Sequence, residues 1–370
     1  MKLAGYRVVD LSMFLPGPYL SLALADHGAE VIKVEMPGEG DPTRHIGLAD
    51  GDHTVYFRNL NRGKKSIVVD LKNAAERAAF LELCDSADVF IEAFRPGVAE
   101  RLGVGYDVLR ARNPGIVYCS ISAFGNDSTY RTRPAHELAA EGLSGALSLN
   151  LGEDGKPAIP GLPTGDLLSG LYGLSGILMA LLRREKSGKG DYLDISLLES
   201  LVGGLTLTLG PTLAENRQPV VRHERTTGGA AFYRIYETSD GKHIALAAQE
   251  PKFINALLGA LGRPELAEPC VRGPGPHQQP VIDFLAATFL QKTRDEWDAW
   301  LSKLDVAFGA VKTLPEALDD PNLTARGMLL RDAEGRRHIG TPIRFRDEPA
   351  QIDLASPHLG EHNAELLPRA

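Results

Sequence analysis

The chain has 370 residues, 43% of them hydrophobic and 24% charged, with a net charge of −8. This is the composition of an ordinary soluble globular protein; the length suggests two domains, and the acidic balance argues against general nucleic-acid binding. Cys84, Cys119 and Cys270 form no CxxC pair, so no zinc spacing or disulfide framework is expected, and a reducing, cytoplasmic setting is.

The opening MKLAGYRVVDLSMF has a lysine but no long apolar core and no processing site, so neither a signal peptide nor a membrane span is expected. YRVVDL (Tyr6 to Leu11) predicts a strand, PYLSLALADHGA a helix ending at Gly28, and EVIKVE and KSIVVDL two more strands. NAAERAAFLELCDSA has helical spacing with Asn73 as N-cap, and DVFIEAF and GIVYCSISAF read as buried strands. Near-continuous apolar strands between amphipathic helices predict a Rossmann-like α/β fold, a parallel sheet covered on both faces. Its carboxyl ends, DLSMFLPGP, VEMPGEGDP, EAFRPG and SAFGND, are where a ligand cleft is expected.

After Gly203 the pattern changes. Residues 204–229 read as a linker. AFYRIYETSDGKHIALAAQ then predicts a hairpin around a Ser-Asp-Gly turn, followed by helices in PKFINALLGALG, VIDFLAATFLQKT and RDEWDAWLSKL. The expected plan is a large α/β domain over 1–203, a smaller α+β domain over 230–320, and a tail, 321–370, that returns to the large domain with a hairpin in GMLLRDAEGRRHIGTPIRF.

Three ionisable residues stand beside glycine, proline or small residues: His136 in RPAHELAAEG, Asp166 in GLPTGDLLSGLYG and Glu250 in LAAQEPKF. A His and an Asp brought together could exchange a proton with a carbon from opposite sides, as the acidic α-hydrogen of a thioester requires. Each also has a plainer reading. Asp166 could be an N-cap ahead of LLSGLYGLSGILMALLRRE, His136 a hydrogen-bonded residue at a helix start, and Glu250 a first-turn residue stabilised by the helix dipole. Arg62, Lys64, Lys65, Arg95 and Arg101 are candidates for phosphate contacts, each also readable as a solvated surface charge, and Phe94 for an apolar slot. There is no GxGxxG after the first strand, no Walker A sequence, no GxSxG elbow and no metal-ligand spacing.

The order and spacing of VVDLSMFLPGP, GAEVIKVEMPGEGDPTR, NRGKKSIVVDLK, EAFRPGVAERLG, GDLLSGLYG, SGKGDYLDISLLES, FYRIYETSDGKHIAL, TRDEWDAW and ARGM resemble the family III CoA-transferase group. That group holds the CaiB/BaiF-type transferases and the α-methylacyl-CoA racemases, and the likeness spans nearly the whole chain. It implies an interlocked homodimer acting on acyl-CoA, with no cofactor beyond coenzyme A, no metal, no nucleic acid and no membrane. It puts the reacting carboxylate on Asp166 and CoA contacts in EAFRPG and its following Arg. Met36 departs from the pattern, since relatives often carry an Arg there, which weakens the expectation of nucleotide contacts at that point. In transferases the Asp attacks the acyl-CoA, giving a mixed anhydride and then an enzyme–CoA thioester. His136, thirty positions before Asp166, and Glu250 in AQEPKF resemble the racemase pattern, in which a partner's Glu reaches the His. The leading expectation is therefore racemisation of a 2-methylacyl-CoA at C2. CoA transfer to a carboxylic acid is the alternative, and a non-catalytic acyl-CoA-binding protein is the reading of another class.

Overall fold

The computed structural model describes residues 1–152 and 154–367. Among these, six strands form one sheet: β1 (Arg7–Asp10), β2 (Glu30–Glu35), β3 (Lys65–Val68), β4 (Val89–Glu92), β5 (Val117–Ser122) and β6 (Tyr192–Ser196). Their order is β3-β2-β1-β4-β5-β6, and every neighbouring pair is parallel. From β1 the chain steps outward through β2 to β3, then crosses back to β4 on the other side. The carboxyl ends of β1 and β4 therefore flank the point where strand order reverses, the usual crevice for a ligand in an open α/β sheet.

Successive strand residues face opposite sides. Val9, Ile32, Ile67, Phe90 and Tyr118 build one core with Phe80 of α3 (Ala74–Cys84). Val8, Val31, Ile91 and Cys119 build the other with Leu20 of α1 (Pro16–Asp26) and Leu174 and Ile177 of α5 (Thr164–Ser187). Helix α2 (Val55–Asn61) starts at Thr54, whose hydroxyl caps it, and α3 starts at Asn73, whose side chain accepts the N–H of Ala75 at 2.9 Å. The long α5 can lie this close because its buried face carries glycine: a Cβ on Gly173 would stand 2.5 Å from Leu20. By length and composition α5 could cross a bilayer, but this face is packed into the core beside the sheet. Two shorter helices, α4 (Glu137–Ser144) and α6 (Leu197–Gly204), pack beside its start. The strand β6 lies in SGKGDYLDISLLES, a segment whose strand character the reading above did not single out.

The chain falls into two units. The first comprises Met1–Asn150, Ala158–Leu205 and the chain from Pro321; the second comprises Leu151–Pro157 and Thr206–Asp320. The expected linker, 204–229, holds a helix, Gly210–Glu215, and 3-10 turns at Leu205–Leu207 and Val221–His223. In the second unit β7 (Tyr233–Glu237) and β8 (His243–Ala247) form a hairpin, and β9 (Phe308–Ala310) adds a third antiparallel strand that the sequence reading had not marked. Helices α7 (Pro251–Ala260), α8 (Gln279–Phe289) and α9 (Arg294–Leu301) cover it around Tyr236, Ile244, Leu257, Leu285 and Trp297.

The tail reaches the outer edge of the large sheet. The N–H of His362 donates to Ser66 O at 2.9 Å, and the Asn363 side chain accepts the N–H of Val68 at 2.8 Å while donating to its carbonyl at 3.0 Å. One side chain thus pairs both backbone groups of an edge residue that would otherwise stand open.

Candidate active site

A cavity of about 400 Å³ opens at the reversal point, lined by Met13 and Phe14 after β1, Ala93 to Pro96 after β4, and Ser122 at the end of β5 with Ala123 to Gly125 after it. Its remaining wall includes Tyr56, Arg131, Arg133, His136, Glu137 and Asp166. A second cavity of about 420 Å³ shares Met13 and Phe94 with it and runs over Met36, Val69, Leu71 and Leu102.

Each wall is held by interactions below it. Phe14 sits at φ 63°, a left-handed backbone that a bulky side chain rarely adopts, and such strain clusters at functional sites. Its ring meets His136 edge-on, centroids 6.4 Å apart. The Phe94–Arg95 turn is fastened by Glu92, which accepts the Phe94 N–H at 2.8 Å. Burial pushes the Glu92 carboxyl up to about 7, against the hydrogen bonds from Ser120 and Phe94.

Asp166 is the third residue of α5, inside its first turn, with Pro163 at the N-cap. It is therefore neither the cap nor a residue ahead of the helix. A helix start favours a carboxylate anion. Here burial outweighs that, and with the charge of Glu137 it raises the Asp166 carboxyl to about 7. Tyr56 lies close enough for the Asp166 charge to push its phenol upward, although burial is the larger cause. His136 stands at the N-cap of α4 but makes no capping hydrogen bond, leaving its exposed ring beside the cavity. The next residue, Glu137, accepts the Gly165 N–H at 3.0 Å.

Not every expected residue lies here. Arg62 is only 2% exposed, and its guanidinium is spent on Asp26 and on Ile339 O at 2.9 Å. Lys64 is enclosed, donating to Ser21 Oγ at 2.8 Å, Asn61 Oδ1 at 3.0 Å and Pro18 O at 3.1 Å, with Asp10 3.5 Å away. These charges are consumed inside the fold, so the expectation that they bind phosphate is corrected to an anchoring role. Through Asp10, which accepts the Ser12 N–H at 2.9 Å, Lys64 braces the loop that carries Met13 and Phe14. Lys65 is partly exposed and pairs with Glu30 at 2.8 Å and with Glu365. Arg95 and Arg101 are exposed, and Arg95 and Phe94 line the cavity. Glu250 is the N-cap of α7 in the second unit, with no capping bond from its side chain.

Tyr56, Arg131, Arg133 and Glu137 escaped the sequence reading. The signal was there for three of them, since TYRTRPAHE places two arginines and a glutamate around His136. Arg133 lies over the Tyr130 ring at 5.5 Å, and Tyr130 stands edge-on to buried Phe124 at 5.5 Å. The cavity thus combines a carboxyl poised near neutrality, guanidinium groups and an apolar floor, which suits nucleophilic attack by a carboxylate or proton exchange at a polarised carbon.

Residues 3–363 match the family model described as CoA-transferase family III. The chain is 33% identical to a succinyl-CoA–D-citramalate CoA-transferase of Chloroflexus aurantiacus, covering 98% of this chain and 92% of that protein. It is 34% identical to an acetyl-CoA:oxalate CoA-transferase of Acetobacter aceti, covering 98% and 94%. The crystal structure of a CaiB/BaiF family protein from Brucella suis superposes with a TM-score of 0.84 at 34% identity, covering 98% of this chain and 97% of that one.

Proposed function

We infer that this chain, which belongs to CoA-transferase family III, moves coenzyme A from an acyl-CoA to a carboxylic acid with Asp166 as nucleophile. The observation that carries the reading is the placement of Asp166: half-buried on the cavity wall and raised to about 7, it has the basicity of a competent nucleophile yet is substantially ionised at neutral pH. The relatives named above as CoA-transferases favour transfer over the racemisation expected from sequence.

The Asp166 carboxylate attacks the thioester carbonyl. The C–S bond breaks, CoA leaves as thiolate, and a mixed anhydride remains. The thiolate then attacks the aspartyl carbonyl, releasing the first acid and leaving an aspartyl–CoA thioester. The acceptor carboxylate repeats the two steps in reverse, which frees Asp166. Arg131 and Arg133 offer counter-charge to an acceptor that must approach a carboxylate-bearing wall. The second cavity, apolar along Met36, Val69 and Leu71, is read as the seat of the nucleotide end, with Phe94 shared between the two.

A second reading rests on His136, whose ring borders the same cavity as Asp166: exchange of the α-proton of a 2-methylacyl-CoA between the two groups. A homodimer belongs to the proposal as well. Leu171, Tyr172, Leu178, Met179 and Leu182 leave an exposed apolar strip along α5, read as covered by a second copy.

The test is incubation with acyl-CoA donors and a panel of carboxylic acids, with hydroxylamine as trap. Acceptor-dependent CoA transfer and a hydroxamate at Asp166 are expected. Turnover that needs no acceptor and leaves no adduct would overturn the transfer reading.

A further inference from the structure

Glu137 and Glu141 stand one helical turn apart on α4. Glu141 is 2% exposed, and its Oε2 is enclosed without a hydrogen-bond partner among the described residues. Its contacts are the hydroxyl and backbone N–H of Thr164 and the carboxyl of Glu137. Glu137 in turn holds the N–H of Gly165. Glu137 thus holds the second residue of α5, Glu141 faces the first, and Asp166 is the third. The approach is tight, since a Cβ on Gly165 would lie 3.3 Å from Glu137 Cγ and 3.1 Å from Leu201 of α6.

Two carboxylates within hydrogen-bond reach in a buried place do not both ionise. A proton on Glu141 turns an enclosed acceptor into an O–H donor, and the acceptor within reach is Glu137. We propose that Glu141 is a positioning residue for the reaction: as a carboxylic acid it donates to Glu137, and the resulting acid–carboxylate pair fixes the first turn of α5 and presents one negative charge, not two, to Asp166. This rests on Asp166 being the reacting carboxyl. The titratable groups facing one another here are Glu137 and Glu141 on α4, Asp166 on α5 and Tyr56 on α2. Burial, with Glu137 beside it, raises the Glu141 carboxyl to about 7, the direction the geometry requires.

Glu141→Gln and Glu141→Leu separate the alternatives. The Gln amide supplies the donor that the acid would supply and carries no charge. It should keep kcat within about twofold and leave the acid limb of the pH–rate profile in place. If Glu141 were ionised, the same change would remove a charge beside Asp166 and move that limb to lower pH, which overturns the proposal. Glu141→Leu removes the donor and should cut kcat by about tenfold or more with little change in acyl-CoA KM; wild-type kcat there also overturns it. Infrared difference spectra give a readout independent of turnover. A buried carboxylic-acid carbonyl band should persist in Asp166→Asn and vanish in Glu141→Gln. If that band behaves as stated while no CoA transfer is found, the assigned reaction fails and the carboxyl pair stands. If Glu141→Gln leaves the carboxylic-acid bands unchanged, the pair fails.

Discussion

Glu137 Oε1 accepts the backbone N–H of Gly165 at 3.0 Å, joining the residue after His136 to the residue before Asp166. Two segments 28 positions apart in the chain are thereby locked at one point, and both candidate groups hang from it. The cavity's chemistry depends on this junction as much as on either side chain.

Asp166→Asn should lower CoA transfer by about three orders of magnitude or more while leaving the melting temperature within a few degrees. Steady-state rates and a thermal melt on one preparation check it. A folded variant with near wild-type turnover would contradict a nucleophilic role.

His136→Ala divides the two reactions. If CoA transfer is the activity, kcat should fall by about tenfold at most, because no step is routed through the imidazole. If proton exchange is the activity, deuterium incorporation at C2 of a 2-methylacyl-CoA in heavy water should be present in the wild type and lost in the variant. Mass spectrometry of the recovered thioester decides.

The transfer rate should rise with pH through about 7, because attack needs the Asp166 carboxylate and burial raises that carboxyl to about 7. A flat profile between pH 5.5 and 8.5, buffer range chosen to span roughly 1.5 units either side, would place the titrating group elsewhere.

Stability should show the opposite slope over much of that range. Glu92 is raised from 4.5 to about 7. Between those values the folded state keeps a proton that the unfolded chain has released, so unfolding free energy falls as pH rises. Glu92→Gln should remove its share of this dependence, leaving that of Asp166 and Glu141, which are also raised to about 7, and at pH 8 leave the variant more stable by on the order of 1–3 kcal/mol. Urea unfolding at pH 5 and pH 8 measures both.

Lys64→Ala should behave as a folding defect. Removing one partner of an enclosed ion pair leaves the buried Asp10 to the Ser12 N–H and the Ser12 and Ser21 hydroxyls, without the ammonium beside it, at a cost of about 3–5 kcal/mol. Arg131→Ala and Arg133→Ala, at exposed positions, should leave the melting temperature alone and raise the acceptor KM about tenfold each. A Lys64 variant of full stability with a raised acyl-CoA KM would restore the phosphate role that its burial removes.

Most of the sheet was legible because the strands are continuous apolar runs between helices with visible caps such as Asn73. The strand Tyr192–Ser196 was less so, since its residues are mostly half-exposed and carry Asp194 in the middle. Asp166 and His136 could be singled out from neighbouring glycine and proline and from the family likeness. The burial of Arg62 and Lys64 could not. A charge reads as solvated until its partner is known, and Asp26 and Asp10 come from helix and strand positions 36 and 54 residues away. Glu137 was hidden by the residue before it: the eye stops at the histidine, while the tertiary contact runs through the glutamate.

The pairing of Asn363 with Val68 also sets a clock. The two residues are separated by 295 positions, so β3 is synthesised long before the side chain that seals it. At about 5–20 residues per second, the ribosome leaves that edge bare for roughly 15–60 s. During that interval the nascent sheet offers unpaired backbone to any neighbouring strand, and a message truncated before the Asn363 codon makes the exposure permanent. The edge is thus sealed late in synthesis, by the helical turn Asn363–Leu366, and crowding of nascent chains is the condition under which the enzyme's yield should suffer most.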